Sequence, residues 1–295
     1  MLRGNDSDKR STRESAPAID MAASNSLERA LIILELIDRT PGGLTNSDIC
    51  HALNMATSSC TYVLSRLEKR GYLSRDHNGR YRMGLTPLML AHGALRDLSF
   101  RSVDEPALYR LVNDTGLAAT VGVIERGQVL VVDRIESPRL AHDTTDISST
   151  VAASRHVRQR ELRDLGREMP LHSNAMGKAI LAFLPRDTAL SIIDEHGLAR
   201  CTKRTITSRS KLLNELEVIR ERGFAISCQE QYDGICGIGA PIVDATGTVR
   251  GAVSLNGTKE ESRSEDVDRF STAVKVAAHA ISTRGRFRNT ARPIG

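Results

Sequence analysis

The chain has 295 residues, of which 40% are hydrophobic and 26% charged, with a net charge of +5 at pH 7. That length supports about two domains and a well-buried core, and the composition excludes a disordered or fibrous chain. The sequence holds no apolar run long enough to span a bilayer and no secretory signal, and its mild positive balance is compatible with an anionic partner.

Residues 1–23 are polar, mixed in charge and aperiodic, which predicts a disordered arm. Ser26 reads as a helix cap, with Arg29 where a capping box would place Glu. The stripe Leu27, Ala30, Leu31, Leu34 and Ile37 predicts a helix that TPGG at 40–43 ends. Thr45 caps a short second helix carrying Ile49 and Leu53. A third helix begins at Ala56 or Thr57 and ends at Gly71. In it Cys60, Val63, Leu64 and Leu67 recur at i, i+3, i+4 and i+7 and form one buried stripe. Cys60 belongs to that stripe as a small hydrophobe, not a reactive thiol. Ser58, Tyr62, Ser65 and Lys69 fall on the opposite face, flanked by Ser59, Thr61 and Arg66, with Glu68 the only acid.

YLSRD and RYRMG follow as two short extended runs around HNG, a hairpin signal. Three helices and a hairpin with short connections are the order of a winged helix-turn-helix, assigned to residues 24–85. In that architecture the second helix of the turn motif enters the major groove and the hairpin lies along the phosphates. The wing carries Arg75, Arg80 and Arg82 against Asp76 alone, so cations stand on both the helix and the wing. The candidate DNA contacts are Thr45, Thr57, Ser58, Ser59, Thr61, Tyr62, Ser65, Arg66, Lys69, Arg75, Arg80 and Arg82. A solvated polar face beside a solvated hairpin is the competing reading.

Thr86 as cap and Pro87 at the first helical position open a linker helix over 86–100 with the stripe Leu88, Leu95 and Leu98. A helix over 104–115 ends at Gly116, and AATVGVIERGQVLVVDRIES alternates as two strands around Gly127. LHSNAMGKAILAFL is a helix opened by small and polar residues. SKLLNELEVIRERGFAIS is another, closed by Gly223 and followed by a strand. GIGAPIVDATGTVRGAVSLNG is a hairpin with Asp244 to Gly247 at its tip. A last helix buries Val267, Phe270, Val274, Ala277 and Ile281. Strands with helices on one side make residues 101–285 an α+β sensor-like domain, and 286–295 form a basic tail.

These residues together resemble the IclR family of bacterial transcriptional regulators. The resemblance covers about residues 25–285 and rests on SLERALIILELI, the run from LTNSDICHALNM to GRYRMG, LHSNAMGKAILAFLP and GIGAPIVDATGTVRGAVSLNGT, in the family's order. It implies an N-terminal winged helix-turn-helix, a linker helix and a GAF-like α+β effector-binding domain. Such proteins bind operator DNA as dimers or tetramers and respond to small molecules, commonly organic or aromatic acids. Relatives usually begin the recognition helix with Pro-Lys-Ser-Thr and soon place an Arg. This sequence has Ala56-Thr57-Ser58-Ser59 and Tyr62, which predicts a different operator. Residues 139–167 look longer and more polar than the family's usual link and stay unassigned.

A small carboxylate needs oriented N–H donors, and the helix start SNAMGKA at 173–179 supplies them, with Gly177 leaving room. By resemblance, Ala175 and Met176 match the amide-bearing turn of the effector site, and Asn174 and Gly177 beside them are candidate effector residues. Ser227 stands where the family often has an acid, and Gly237 where it often has a cysteine. Ser254 and Asn256 match polar positions on the last strand. Each of these residues taken singly also reads as ordinary packing.

Five cysteines (Cys50, Cys60, Cys201, Cys228 and Cys236) are an odd number without metal-ligand spacing, which predicts reduced thiols in a cytoplasmic protein. Cys236 is expected to face away from the site by alternation, and His172 to be a structural hydrogen-bonder. No metal-ligand cluster, phosphate loop or nucleophile elbow is present, so no catalysis, metal or cofactor is expected. Two alternatives stay open: a GAF-like thiol enzyme using Cys228 or Cys236, and a DNA-binding protein whose C-terminal domain only oligomerises.

Overall fold

A computed structural model describes residues 25–97, 101–136, 165–262 and 264–284. The expected arm, the Leu95 and Leu98 side chains of the linker, residues 139–164 of the unassigned stretch and the basic tail lie outside the described residues. The chain divides into two compact units, Met1–Ala94 and Leu95–Gly295.

The first unit holds α1 (Ser26–Asp38), α2 (Asn46–Ala52), α3 (Thr57–Lys69), the hairpin β1 (Leu73–Arg75) and β2 (Tyr81–Met83), and most of α4 (Thr86–Asp97). The α1 cap is Asn25 rather than Ser26: its side chain accepts from the Glu28 amide at 3.0 Å. The helix frame therefore starts one residue earlier, and Glu28 takes the first-turn position where an acid favours the helix dipole. The expected stripe also rotates. Ile33 and Ile37 enter the core, while Leu27 and Leu31 stay 69% and 52% exposed.

Thr45 caps α2 as expected, in a full capping box with Asp48. In α3, Cys60, Val63 and Leu64 are buried, and Leu67 packs against the same cluster with Ile49, Leu73 and Tyr81. Burial pushes the Cys60 thiol up to about 12, with Cys50 beside it adding to the shift, so it stays an inert core group. The wing pairs Leu73 with Met83 and Arg75 with Tyr81, and Asp76 closes its turn by accepting from the Asn78 and Arg80 amides. Helix α4 begins at Thr86 itself, so Thr86 does not cap it. Its hydroxyl instead donates to the Arg70 carbonyl at 2.8 Å, tying the end of α3 to the start of α4.

The second unit is a six-stranded antiparallel sheet. Its strands are β3 (Ala118–Glu125), β4 (Gln128–Ile135), β5 (Glu168–Pro170), β6 (Ala225–Cys228), β7 (Ile235–Val243) and β8 (Val249–Thr258). The order across the sheet is β5-β4-β3-β8-β7-β6. The helices are α5 (Arg101–Thr115), α6 (Ala175–Phe183), α7 (Arg186–His196), α8 (Arg209–Arg222) and α9 (Val267–Arg284). Helix α7 is absent from the sequence reading.

Helices cover both faces, not one. Leu108 and Leu111 of α5 and Phe270, Val274 and Ile281 of α9 pack on Ala119, Val121, Ile238, Ala240 and Val253. On the other face, Ile180 of α6, Ile193 of α7 and Leu212 of α8 pack with Val129, Val131 and Ala252. The strands are apolar on both sides of the pleat, and a sheet of that kind must be covered twice. Gly239 permits the closest approach, since a Cβ there would lie 2.8 to 3.0 Å from the Ala175 and Met176 backbone. The start of α6 thus rests directly on β7.

Candidate functional site

On α3 the structure exposes Thr57, Ser58, Tyr62, Ser65, Arg66 and Lys69, and leaves Ser59 half-buried. The expected hydroxyls divide into two kinds. Thr61 donates to the Thr57 carbonyl at 2.7 Å and accepts from the Asn46 side-chain nitrogen at 2.8 Å, so it locks α2 to α3. Ser65 donates to the Tyr62 carbonyl at 2.9 Å. The hydroxyls of Ser58 and Tyr62 have no hydrogen-bond partner among the described residues. Tyr62 is 57% exposed, and the Arg66 guanidinium lies 5.2 Å from its ring centroid, bracing it one helical turn away.

Each wing arginine has an anchor within the fold. Arg80 donates to the Gly43 carbonyl at 2.9 Å, and Arg82 lies 3.4 Å from Asp76. Arg75 stacks 5.4 Å from the Tyr81 ring centroid. The hydrogen bond from the Arg80 amide, with further help from Asn78 and Arg82, holds the Asp76 carboxyl below the usual carboxylate range. The wing is therefore a stiff, largely cationic loop. Thr45 keeps its capping role, and as a hydroxyl that accepts from Asp48 it retains a proton to donate.

The second unit encloses a cavity of about 500 Å3 between the α6 side of the sheet and the start of α6. That is ample for a small ligand. Asn174, Ala175, Met176, Ser227, Gly237, Ser254 and Asn256 all line it; Gly177 does not. The Gly177 amide donates to the Asn174 side chain at 2.8 Å, and its missing Cβ makes room for the Leu171 backbone rather than for a ligand. The Ala175 and Met176 amides, in contrast, have no acceptor among the described residues and sit on two buried residues at the helix start. Such amides favour an anion. Ser227 donates to the Ser173 carbonyl at 3.0 Å.

Strand register explains why these positions converge. Ser227, Gly237, Asn256 and Ala118 form one transverse row, and Gly239, Ser254, Thr120 and Arg134 the next. Asn256 donates from its side-chain nitrogen to Ser254 at 2.9 Å and to Thr120 at 3.2 Å. Both hydroxyls act as acceptors there, so their own protons remain to be donated.

The sequence reading misses Thr120, Arg134, Glu136, Arg167 and Tyr232 in this wall. A bulge in β4, opposite Val121 and Gly122, shifts the alternation by one. It turns Arg134 and Glu136 onto the cavity face, while Val132 and Ile135 join the opposite core. Arg134 Nε donates to Glu136 Oε1 at 2.7 Å. The Arg167 guanidinium lies 5.3 Å from the Tyr232 ring centroid.

Next to the cavity, Lys178 of α6 is 1% exposed, with its Nζ 2.8 Å from Glu230 and 3.6 Å from Glu215. A lysine inside AMGKAILAF is the sequence signal that could have shown this pair. His172 is the expected structural hydrogen-bonder: its Nε2 bonds the Ala199 carbonyl at 2.9 Å, and burial pushes its pKa down.

Cys228 and Cys236 form a disulfide, which corrects the expectation of five reduced thiols; Cys50, Cys60 and Cys201 are free. The two lie directly opposite each other on β6 and β7, with Cα atoms 4.1 Å apart. Directly paired strand positions bring side chains that close. Cys236 is buried and off the cavity wall, as alternation requires.

A family model described as "Bacterial transcriptional regulator IclR C-terminal" matches residues 149–283, and one described as "IclR helix-turn-helix domain" matches residues 26–77. The glycerol operon regulatory protein of Streptomyces griseus is 30% identical over 268 residues, covering 89% of this chain and 98% of that one. The crystal structure of Thermotoga maritima IclR superposes with a TM-score of 0.67 at 27% identity, over 88% of this chain and 98% of that one. An IclR homologue from Microbacterium hydrocarbonoxydans, solved with 4-hydroxybenzoate, shares the fold with a TM-score of 0.71 at 21% identity, over 88% and 98% of the two chains.

Proposed function

Since the chain belongs to the IclR family of bacterial transcriptional regulators, we propose that it is a ligand-responsive regulator that binds double-stranded operator DNA as a dimer or tetramer. A small organic or aromatic acid in the C-terminal cavity modulates that binding. The observation that carries the reading is the pair of acceptor-free amides of Ala175 and Met176 opening into a cavity of about 500 Å3. Its ligand contacts are Ala175, Met176, Ser254 and Asn256, with Ser227 and Gly237 shaping the wall and Asn174 fixing the helix start. The 4-hydroxybenzoate of the Microbacterium homologue is an acid of suitable size.

On DNA, Ser58, Tyr62, Arg66 and Lys69 face the groove, and Arg75, Arg80 and Arg82 track phosphates. Exposed Leu85, Leu88, Met89 and Leu90 at the start of α4 supply apolar surface for self-association. The protein works in the cytoplasm, where operator DNA is. Ligand in the cavity favours one arrangement of the paired reading heads over another, which is a population shift.

The regulator reading is supported over the thiol-enzyme alternative by the disulfide that joins Cys228 and Cys236 and by the regulator names of the relatives. Selection of bound sequences from random DNA by the purified protein should enrich one motif. A panel of organic acids should contain a member that changes affinity for that motif by about fivefold or more. No enriched motif refutes operator recognition. An acid panel that neither raises the melting temperature nor shifts DNA affinity refutes the sensor reading.

A further inference from the structure

Glu136 is buried to 7% exposure on the cavity wall, and only one of its oxygens is used. Oε1 accepts from Arg134, whereas Oε2 is shielded from solvent and has no hydrogen-bond partner among the described residues. Buried polar atoms in native proteins are almost always paired, and an open acceptor in a cavity wall asks for a donor. The β4 bulge is what turns this carboxylate inward. Towards β8 and β7 the character reverses: the Ala175 and Met176 amides and the Ser254 hydroxyl offer protons, and the Thr120 hydroxyl on β3 offers one between the two ends.

We infer that the effector is two-headed: an acid group docks on the start of α6, and a hydrogen-bond-donating group, hydroxyl or amine, docks on Glu136 Oε2. The inference deepens the sensor reading above and rests on it. Strand spacing sets the length of the molecule. Strand β4 is two positions from β8 and three from β7, so at about 4.8 Å per strand the backbones of the two poles are about 10 to 14 Å apart. Side chains reach inward from both ends. The remaining span suits an acid and a donor at opposite ends of one ring or of a chain of about four carbons. A monofunctional acid of the same size satisfies one pole and leaves Glu136 unpaired.

The test uses two matched pairs of probes, titrated by calorimetry into the full-length protein. 4-Hydroxybenzoate is set against 4-methoxybenzoate, and 5-aminopentanoate against hexanoate. The donor-bearing member of at least one pair should bind on the order of tenfold more tightly than its capped partner, the size of one hydrogen bond to a charged group. In Glu136→Met, checked for native melting, that preference should vanish.

Equal affinities within both pairs overturn the inference while leaving the sensor reading intact, as does a preference that survives Glu136→Met. The comparison on the unaltered protein needs no variant to fold. Failure of every acid to bind refutes the sensor reading itself and the inference with it.

Discussion

Replacing Lys178 by Met removes a cation from a site that water does not reach. Lys178 is 1% exposed and holds Glu230 at 2.8 Å; Glu215, at 3.6 Å, has Arg222 at 3.4 Å as a second partner. Glu230 has no second cation among the described residues, and its Oε2 is unpaired there. Met keeps the packing volume, so the main effect is an uncompensated buried carboxylate, a change that costs about 3–5 kcal/mol. At about 2–4 °C per kcal/mol for a unit of this size, the melting temperature at pH 8 should fall by roughly 6–20 °C.

The pH dependence carries a definite sign. Burial raises the Glu230 carboxyl above its ordinary value, against the pull of Lys178. A carboxyl with a raised folded-state pKa leaves the native protein holding more protons than the unfolded chain. Stability then falls as pH climbs from the ordinary carboxylate value through the raised one, and levels off above it. Without Lys178 the value rises further and the window widens. The variant should therefore lose less at the acid end of the range, where a larger share of Glu230 is protonated, than at pH 8. Scanning calorimetry across that range is the assay, and Lys178→Met with Glu230→Gln should regain most of the loss. A pH-independent loss, or one below about 1 kcal/mol at pH 8, would refute the reasoning.

Tyr62→Ala should change which sequences are enriched from random DNA, because the residue stands exposed on α3; an even loss of affinity with unchanged preference would remove its reading role. Arg80→Ala and Arg82→Ala should weaken binding to all sequences and flatten the salt dependence by about one unit each, somewhat less for Arg82 because Asp76 already lies 3.4 Å away. Unchanged slopes for both would show that the wing does not touch phosphates. Gly239→Ala should abolish acid-induced thermal stabilisation, since its Cβ would strike the Ala175 backbone; retained stabilisation would mean the start of α6 is not the acid site. Replacing Cys228 and Cys236 together by Ser should leave DNA binding intact and make the segment 229–234 more open to proteolysis, and unaltered cleavage would show that the disulfide does not hold that segment.

The legible parts of the fold were those written in periodicity. The α3 stripe of Cys60, Val63 and Leu64, the hairpin around Asn78 and Gly79, and the apolar face of α9 each follow from spacing alone. Frame was harder than type. Asn25 and Ser26 are both good caps, and only the geometry of the Glu28 amide chooses between them. Coverage of the sheet was misjudged because the near-continuous apolar run VLVV in β4, the pattern of a strand covered on both faces, was read as alternation.

Site residues fixed by direct alternation, such as Ser254 and Asn256, could be found on the line of the strand. Arg134 and Glu136 could not. Counting by twos from Val129 and Val131 sends both away from the cavity, and only the extra residue at the bulge brings them back. A bulge leaves no composition signal in VLVVDRIE, because it is decided by how β3 pairs across the sheet. The wall position that discriminates between ligands is therefore the one that sequence pattern hides. The family's effector site can be transferred by motif, whereas what distinguishes this protein's effector has to be read from register.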